Sequence, residues 1–250
     1  MTREAFAFTR SFEPTGPSEL VVDRHYLLCA SSGALRLEAE GQRWLLPPAR
    51  AALLRAGRPV TVSIPQPART ASVLFDVGFV PPPPRDLTVV DLDPLARALL
   101  AECSGWPESE GPLPAYPRTM FAALAAVAWR LAEHPSPVVV PAGRSPEVRA
   151  ALALTEERLG EEVRFEDVAR AVGLVPRSLA RRFESEIGMP WRAVLRRMRV
   201  LRAVELLAAD NTPVTAIAHR VGYGSLSAFN AAFRELTRST PSDYRATFTR

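Results

Sequence analysis

The chain has no lysine, so all 31 of its basic side chains are arginine. Arginine is the better fork for phosphate and for guanine edges. In a chain this rich in Ala and Pro, biased codon usage produces the same preference, so the choice of Arg over Lys carries little weight. Cysteine is scarce. Cys29 and Cys103 lie far apart in no metal-type spacing and read as two buried, reduced thiols. The three histidines, His25, His134 and His219, are equally scattered. A histidine metal site would need almost all of them, so no metal and no cofactor are expected. No run of 18 or more apolar residues exists, which excludes a membrane-spanning helix. The opening Met1-Thr2-Arg3-Glu4-Ala5-Phe6 lacks an apolar stretch followed by a small-residue cleavage site. No secretory signal is therefore expected, and the cytoplasm is the expected location.

At 250 residues the chain is long enough for two modest domains, each with its own core. A composition of 47% hydrophobic and 23% charged residues is ordinary for a globular protein. The placement of charge says more. Residues 1–143 hold 13 Arg against 14 acidic residues, whereas residues 144–250 hold 18 against 13. Within 176–202 there are 8 Arg against 2 Glu. Such concentration is the footprint of a nucleic-acid contact; a solvated helical face gives the same pattern.

The first third reads as β-structure. Short apolar or alternating runs occur at Val21-Val22, Tyr26–Cys29, Ala34–Leu37, Arg43–Leu46, Ala51–Leu54, Val60–Ile64 and Ser72–Phe75. Turn residues such as Ser32-Gly33, Glu40-Gly41, Pro47-Pro48 and Gly57 separate them. Strands at this spacing predict a small antiparallel barrel or sandwich over 1–90. Two helices are expected in 91–134: one from the Asp93-Pro94 cap to about Cys103, the other over Pro117–Glu133. Residues 135–144, with Pro135, Pro137, Pro141 and Gly143, read as a linker. Ser145-Pro146 then opens an all-helical domain over 145–250, and Gly160 is placed to end its first helix in a left-handed cap. The fold class is thus two-domain α+β. Turns at Gly173, Gly188, Asp210-Asn211 and Gly222 divide the second half.

That second half contains an internal repeat. Val168-Ala169-Arg170-Ala171-Val172-Gly173, with Leu179 and Phe183, matches Ile217-Ala218-His219-Arg220-Val221-Gly222, with Phe229 and Phe233. The offset is 49 residues at the glycines and 50 at the aromatic positions, so the second copy has one extra turn residue. Each copy has the physics of a helix-turn-helix, at about 165–187 and 214–236. Ala169 or Ala218 lets two helices approach, a glycine turns the chain, and the next helix buries one stripe and leaves the opposite face free for a major groove. In the first copy Leu179, Phe183 and Ile187 face inward, and Arg177, Arg181 and Glu184 fall on the outward stripe. The matching positions of the second copy are Leu226, Ser227, Asn230 and Ala231, preceded by Ser225. These suit van der Waals contact with thymine methyls and one amide able to read adenine. A helix from about Pro190 to Ala209, roughly 30 Å long, joins the copies, close to one turn of B-DNA. Arg192, Arg196, Arg197, Arg199 and Arg202 decorate it, some suited to phosphates and some to internal pairing with Glu205 or other carboxylates.

The stretch from about Ser145 to Arg245 resembles the C-terminal domain of AraC/XylS-type bacterial regulators. The pieces that carry the resemblance are Asp167-Val168-Ala169 through Gly173-Leu174, Arg177–Phe183, Leu195–Arg199, Ile217-Ala218 through Tyr223, Ser227-Ala228-Phe229 and Pro241–Arg245. The resemblance implies transcriptional control, usually activation with RNA polymerase as partner, through two motifs per chain on double-stranded DNA. By position it implies DNA contacts at Arg177, Ala180 and Arg181, and at Leu226, Ser227, Asn230, Ala231 and Arg234. Three departures stand out. Val175 replaces the usual capping Ser, Ala231 replaces a frequent base-contacting Arg, and Thr237-Arg238 replaces an aromatic-glycine pair. The first weakens a helix start by about 1 kcal/mol; the others imply a less discriminating second motif and a helix without its usual stop.

The segments Gly33–Leu37, Trp44–Arg50 and Leu53–Gly57 look like the small cupin barrel of many such regulators. This resemblance implies an effector inside the barrel and a homodimer formed through the following helices. Tyr26, Leu37, Trp44, Leu53, Val62 and Phe75 alternate on strands and are candidates for the interior, with Tyr26 and Trp44 the pocket candidates; plain core is the competing role. The alternative of a different class is a cupin-type metalloenzyme with an accessory nucleic-acid module. It needs a metal site in 20–76, where His25 is the lone histidine.

Overall fold

The computed structural model describes residues 3–48, 50–136, 139–141, 143–209 and 211–246. Ala49, Pro137 and Asp210, which figured in the barrel, linker and inter-repeat readings, lie outside them. The chain divides into two units: 1–39 with 45–137, and 40–44 with 138–250.

The first unit is built on a five-stranded antiparallel sheet of β1 (Ala5–Phe12), β8 (Ala68–Phe75), β3 (His25–Ser32), β6 (Arg50–Leu54) and β9 (Leu87–Asp91), in the order β1-β8-β3-β6-β9. One row of the register reads Ala7, Val73, Leu27, Leu53, Thr88. Side chains alternate between the faces of a strand. Ala5, Ala7, Leu27, Cys29, Leu53, Val73, Phe75 and Val90 therefore share one face, and it is covered by two helices. These are α1 (Pro94–Cys103) and α2 (Ala115–Ala132), which bury Phe121, Leu124, Ala125 and Ala128 against it. The Asp93 carboxylate accepts from the Ala96 N–H at 2.7 Å, so the expected cap starts α1. Both cysteines are buried free thiols in this core, and burial pushes each up to about 12.

The other strands are β2 (Thr15–Leu20), β4 (Leu35–Ala39), β5 (Gln42–Leu46) and β7 (Val60–Ile64). In this unit β4 and β2 flank β7 in a second antiparallel ladder. Of the two expected arrangements, barrel or sandwich, the barrel is corrected: among the described residues the strands form two separate ladders and do not close. Each outer strand of the first sheet shares a hydrogen bond with irregular chain. The Ala7 N–H donates to the Trp106 carbonyl at one edge, and the Ser136 N–H donates to the Val89 carbonyl at the other.

The second unit is helical apart from β10 (Val139–Pro141), which pairs with Gln42–Trp44. Its helices are α3 (Pro146–Glu157), α4 (Phe165–Ala171), α5 (Pro176–Ile187), α6 (Trp191–Ala209), α7 (Val214–Arg220), α8 (Leu226–Thr237) and α9 (Pro241–Ala246). Gly160 does not close α3 as expected, because the helix has already ended, with Arg158 at its C-cap (φ −109°). Glycine is required at 160 for a different reason. A Cβ there would stand 2.8 Å from the Arg220 carbonyl oxygen.

Candidate nucleic-acid interface

The two repeats superpose in their bonding as well as their spacing. α4 and α7 are each 7 residues long, and α5 and α8 are each 12. In the first turn the Gly173 N–H donates to the Arg170 carbonyl and the Leu174 N–H to Ala169 (3.1 and 2.9 Å). In the second the Gly222 N–H donates to His219 and the Tyr223 N–H to Ala218 (2.9 and 3.0 Å). The extra residue of the second copy falls after this shared hydrogen-bonded corner, as Gly224 ahead of Ser225. Leu179, Phe183 and Ile187 are buried in one copy, and Phe229, Ala232 and Phe233 in the other. Phe183 meets Phe165 edge-on at 6.3 Å, and Phe229 lies 5.6 Å from Phe233.

With those stripes committed to the cores, the opposite stripes are left outside. Arg177, Ala180, Arg181 and Glu184 are all exposed on α5. The side chains of Arg177 and Arg181 have no ion pair or hydrogen bond among the described residues. On α8 and at its start, Ser225, Leu226, Ser227, Ala231 and Arg234 are exposed and Asn230 is half-buried. The caps differ. The Ser225 hydroxyl accepts from the Ala228 N–H at 3.2 Å, whereas Val175 makes no side-chain cap for α5.

The α5 face opens into a groove of about 1100 Å3. Arg177, Ala180, Arg181 and Glu184 line one side, and Arg192, Arg196 and Arg199 of α6 line the other. The walls hold more arginine than glutamate, so the groove presents a positive field to a phosphate backbone. It is seated by Trp191, whose indole N–H donates to the Thr155 hydroxyl at 3.0 Å and whose ring lies 5.3 Å from Phe165.

The arginines of α6 divide by task. Arg196 holds Glu235 of α8 with both prongs at 3.1 Å. Arg202 pairs with the buried Glu205 at 2.5 Å. Arg199 donates to two backbone carbonyls. Arg197 is half-buried, and loss of solvent lowers its pKa. Arg192 is exposed. Pairing with Glu205 was among the expected roles and falls to Arg202, three residues away in the same helix, whereas the partners of Arg196 and Arg199 come from elements distant in the chain.

In the first unit a cavity of about 680 Å3 lies between the sheet and the second ladder. It takes the strand residues that do not face the helices: Phe6, Phe8, Tyr26, Leu28 and Leu74, with Val62 and Ile64 opposite. The Tyr26 hydroxyl donates to Ser72 Oγ at 3.1 Å, and burial pushes its pKa up to about 12. Trp44 and Leu37 are not among the lining residues, and Leu53 and Phe75 face the helices instead. Phe6 and Phe8, which sequence reasoning missed, supply much of the wall. Among the described residues no group of three His, Cys, Asp or Glu side chains is placed to hold a metal. His25 is buried, its Nδ1 accepts from the Ala56 N–H at 3.2 Å, and burial, then Arg55, lowers its pKa.

Residues 168–247 match a family model described as a helix-turn-helix domain. The HTH-type transcriptional activator RhaS of Salmonella schwarzengrund is 35% identical over 94 residues, covering 38% of this chain and 34% of that protein. The regulatory protein PocR of Salmonella typhimurium is 30% identical over 105 residues, covering 42% and 35%. The C-terminal domain of AraT, a response regulator from Geobacillus stearothermophilus, is 32% identical with a TM-score of 0.40, covering 41% of this chain and 86% of that structure. The chain thus spans about a third of the length of the curated relatives it matches. RhaS is a transcriptional activator and PocR a regulatory protein.

Proposed function

We propose that residues 168–247, which match a helix-turn-helix domain model, form a DNA-binding domain of the AraC/XylS type, and that the chain is a sequence-specific regulator of transcription that reads double-stranded DNA with both motifs. The observation that carries this reading is the pair of equivalent exposed stripes, Arg177–Arg181 and Ser227–Ala231, on helices whose other faces are buried. Arg181 and Arg177 take guanine O6 and N7. Asn230 takes an adenine edge, and Leu226 a thymine methyl. Glu184 and Arg234 flank these stripes, and Arg196, Arg197 and Arg192 serve the backbone.

The first unit supplies the control. Its cavity takes a small-molecule effector against Tyr26, and the segment 91–134 joins two copies as a homodimer. The cupin-like sequence of 33–57 and the action as an activator through RNA polymerase in the cytoplasm belong to this same reading. No helix among the described residues is long and apolar enough to cross a membrane.

The test is selection of randomised duplexes by the full chain, followed by footprinting on the region upstream of its own coding sequence. Two short elements about one helical turn apart are expected. Binding that is indifferent to sequence, or no binding at all, sinks the reading.

A further inference from the structure

Three separate stretches of the second unit meet at one guanidinium. Arg199 lies in the middle of α6. Its Nε donates to the Leu159 carbonyl at 3.0 Å, and its Nη2 donates to the Glu161 carbonyl at 2.9 Å. Both acceptors belong to the stretch between α3 and α4, ahead of the first motif. The same guanidinium lies over the ring of Tyr223, 5.8 Å from its centre, in the turn of the second motif. Gly222 beside it comes so close that a Cβ would stand 2.5 Å from Nη2 and 2.4 Å from the Leu159 oxygen. Gly160 meets the Arg220 carbonyl in the same way. Backbone approaches backbone here, and one side chain closes the joint.

The surrounding packing gives the joint its importance. α3, α4 and α5 pack on one another, and α7, α8 and α9 pack together with α6. α6 also packs on α3, so it serves both groups. A shared rod fixes the separation of two bodies but leaves each able to roll about the rod. A second attachment off the rod axis removes that freedom. Arginine suits the task because its planar fork donates in two directions while its face stacks on a ring; an ammonium cannot do both.

We propose that Arg199 is a positioning residue that locks the roll of α5 relative to α8, and so sets the spacing at which the two halves of a DNA site are read together. The spacing part rests on both motifs reading DNA; the lock does not.

The experiment has two arms, both on the full chain. In the first, nitroxides are placed at Ala180→Cys and Ala231→Cys, and their separation is measured by pulsed electron resonance; both native thiols are buried. A narrow distribution is expected in the parent. Broadening is expected in Arg199→Lys and, to a lesser degree, in Tyr223→Leu, which keeps both hydrogen bonds, with helicity and cooperative unfolding retained. The same narrow distribution in both variants overturns the lock.

In the second arm, duplexes enriched by the parent are altered by one base pair between the two elements. The parent should lose about tenfold or more in affinity, because the second motif no longer engages. Arg199→Lys should bind the enriched spacing about tenfold more weakly but lose less than about threefold on the altered one. An equal loss at every spacing marks Arg199 as a phosphate contact or a general stabiliser and overturns the proposal. Failure of the parent to enrich any duplex removes the DNA reading and the spacing claim with it, while the label distances still decide the lock.

Discussion

Gly188 and Arg238 stand 50 residues apart at equivalent points of the two repeats, and both close their helix in the left-handed conformation, with φ of 73° and 59°. Each donates its N–H back one turn, to Glu184 and to Arg234, at 3.1 and 2.8 Å. The helix that lacks the usual glycine therefore stops where its twin stops. An L side chain held in this region costs about 1–2 kcal/mol.

Arg238→Gly is expected to stabilise the domain by about 0.5–1 kcal/mol, since the relief of strain outweighs the added freedom of the unfolded chain. Chemical denaturation measures it. A loss of stability would mean that the arginine side chain holds the corner through contacts that outweigh its backbone strain.

The helix starts differ in the opposite sense. Val175 is 65% exposed and caps nothing, while Ser225 caps α8. Val175→Ser is expected to add about 1 kcal/mol, and Ser225→Ala to remove about as much. Equal melting curves for parent and Val175→Ser would show that the α5 amides are already satisfied.

The two exposed stripes are chemically unequal, arginine on one and small or weakly polar side chains on the other. Arg181→Ala is expected to weaken binding to an enriched duplex by about 1–3 kcal/mol and to relax its sequence preference. Asn230→Ala, half-buried on the softer face, is expected to cost less. The reverse ranking in a titration would sink this asymmetry.

Acid should loosen the contact between α5 and the start of α3. Glu186 Oε2 accepts from the N–H groups of Arg144 and Ser145, both at 2.7 Å. Burial opposes ionisation, but these hydrogen bonds, with Arg182 nearby, leave the pKa below its usual 4.5. A carboxylate depressed on folding contributes stability that is present above the unfolded value and lost as pH falls through the folded one. Stability measured from pH 6 down to 3 should therefore fall less steeply in Glu186→Gln. Parallel curves for parent and variant would remove Glu186 from the account.

The helices of the repeats were legible almost to the residue because two signals agree there: a 3.6-residue apolar period and glycines at the corners. The sheet was less legible. β1 was missed because it is apolar on both faces, with Ala5 and Ala7 against the helices and Phe6 and Phe8 in the cavity, so no polar alternation marks it. β2 contains Gly16 and Pro17 at a register shift and is mostly exposed, which reads as a turn. Leu53 and Phe75 stood between pocket and plain core, and they are core; alternation gives two faces without saying which one the helices cover. The role of Arg199 leaves no mark in the sequence, since its partners are carbonyls about forty residues away.

The division between buried and outward stripes on α5 and α8 also has a practical side. Leu179, Phe183, Phe229 and Phe233 set the shape, and Arg177, Arg181, Ser227 and Ala231 take no part in the packing. The outward residues are thus interchangeable lettering on a fixed frame. On the proposed function, the address that the chain reads can be rewritten at these exposed positions without asking the core to find a new arrangement.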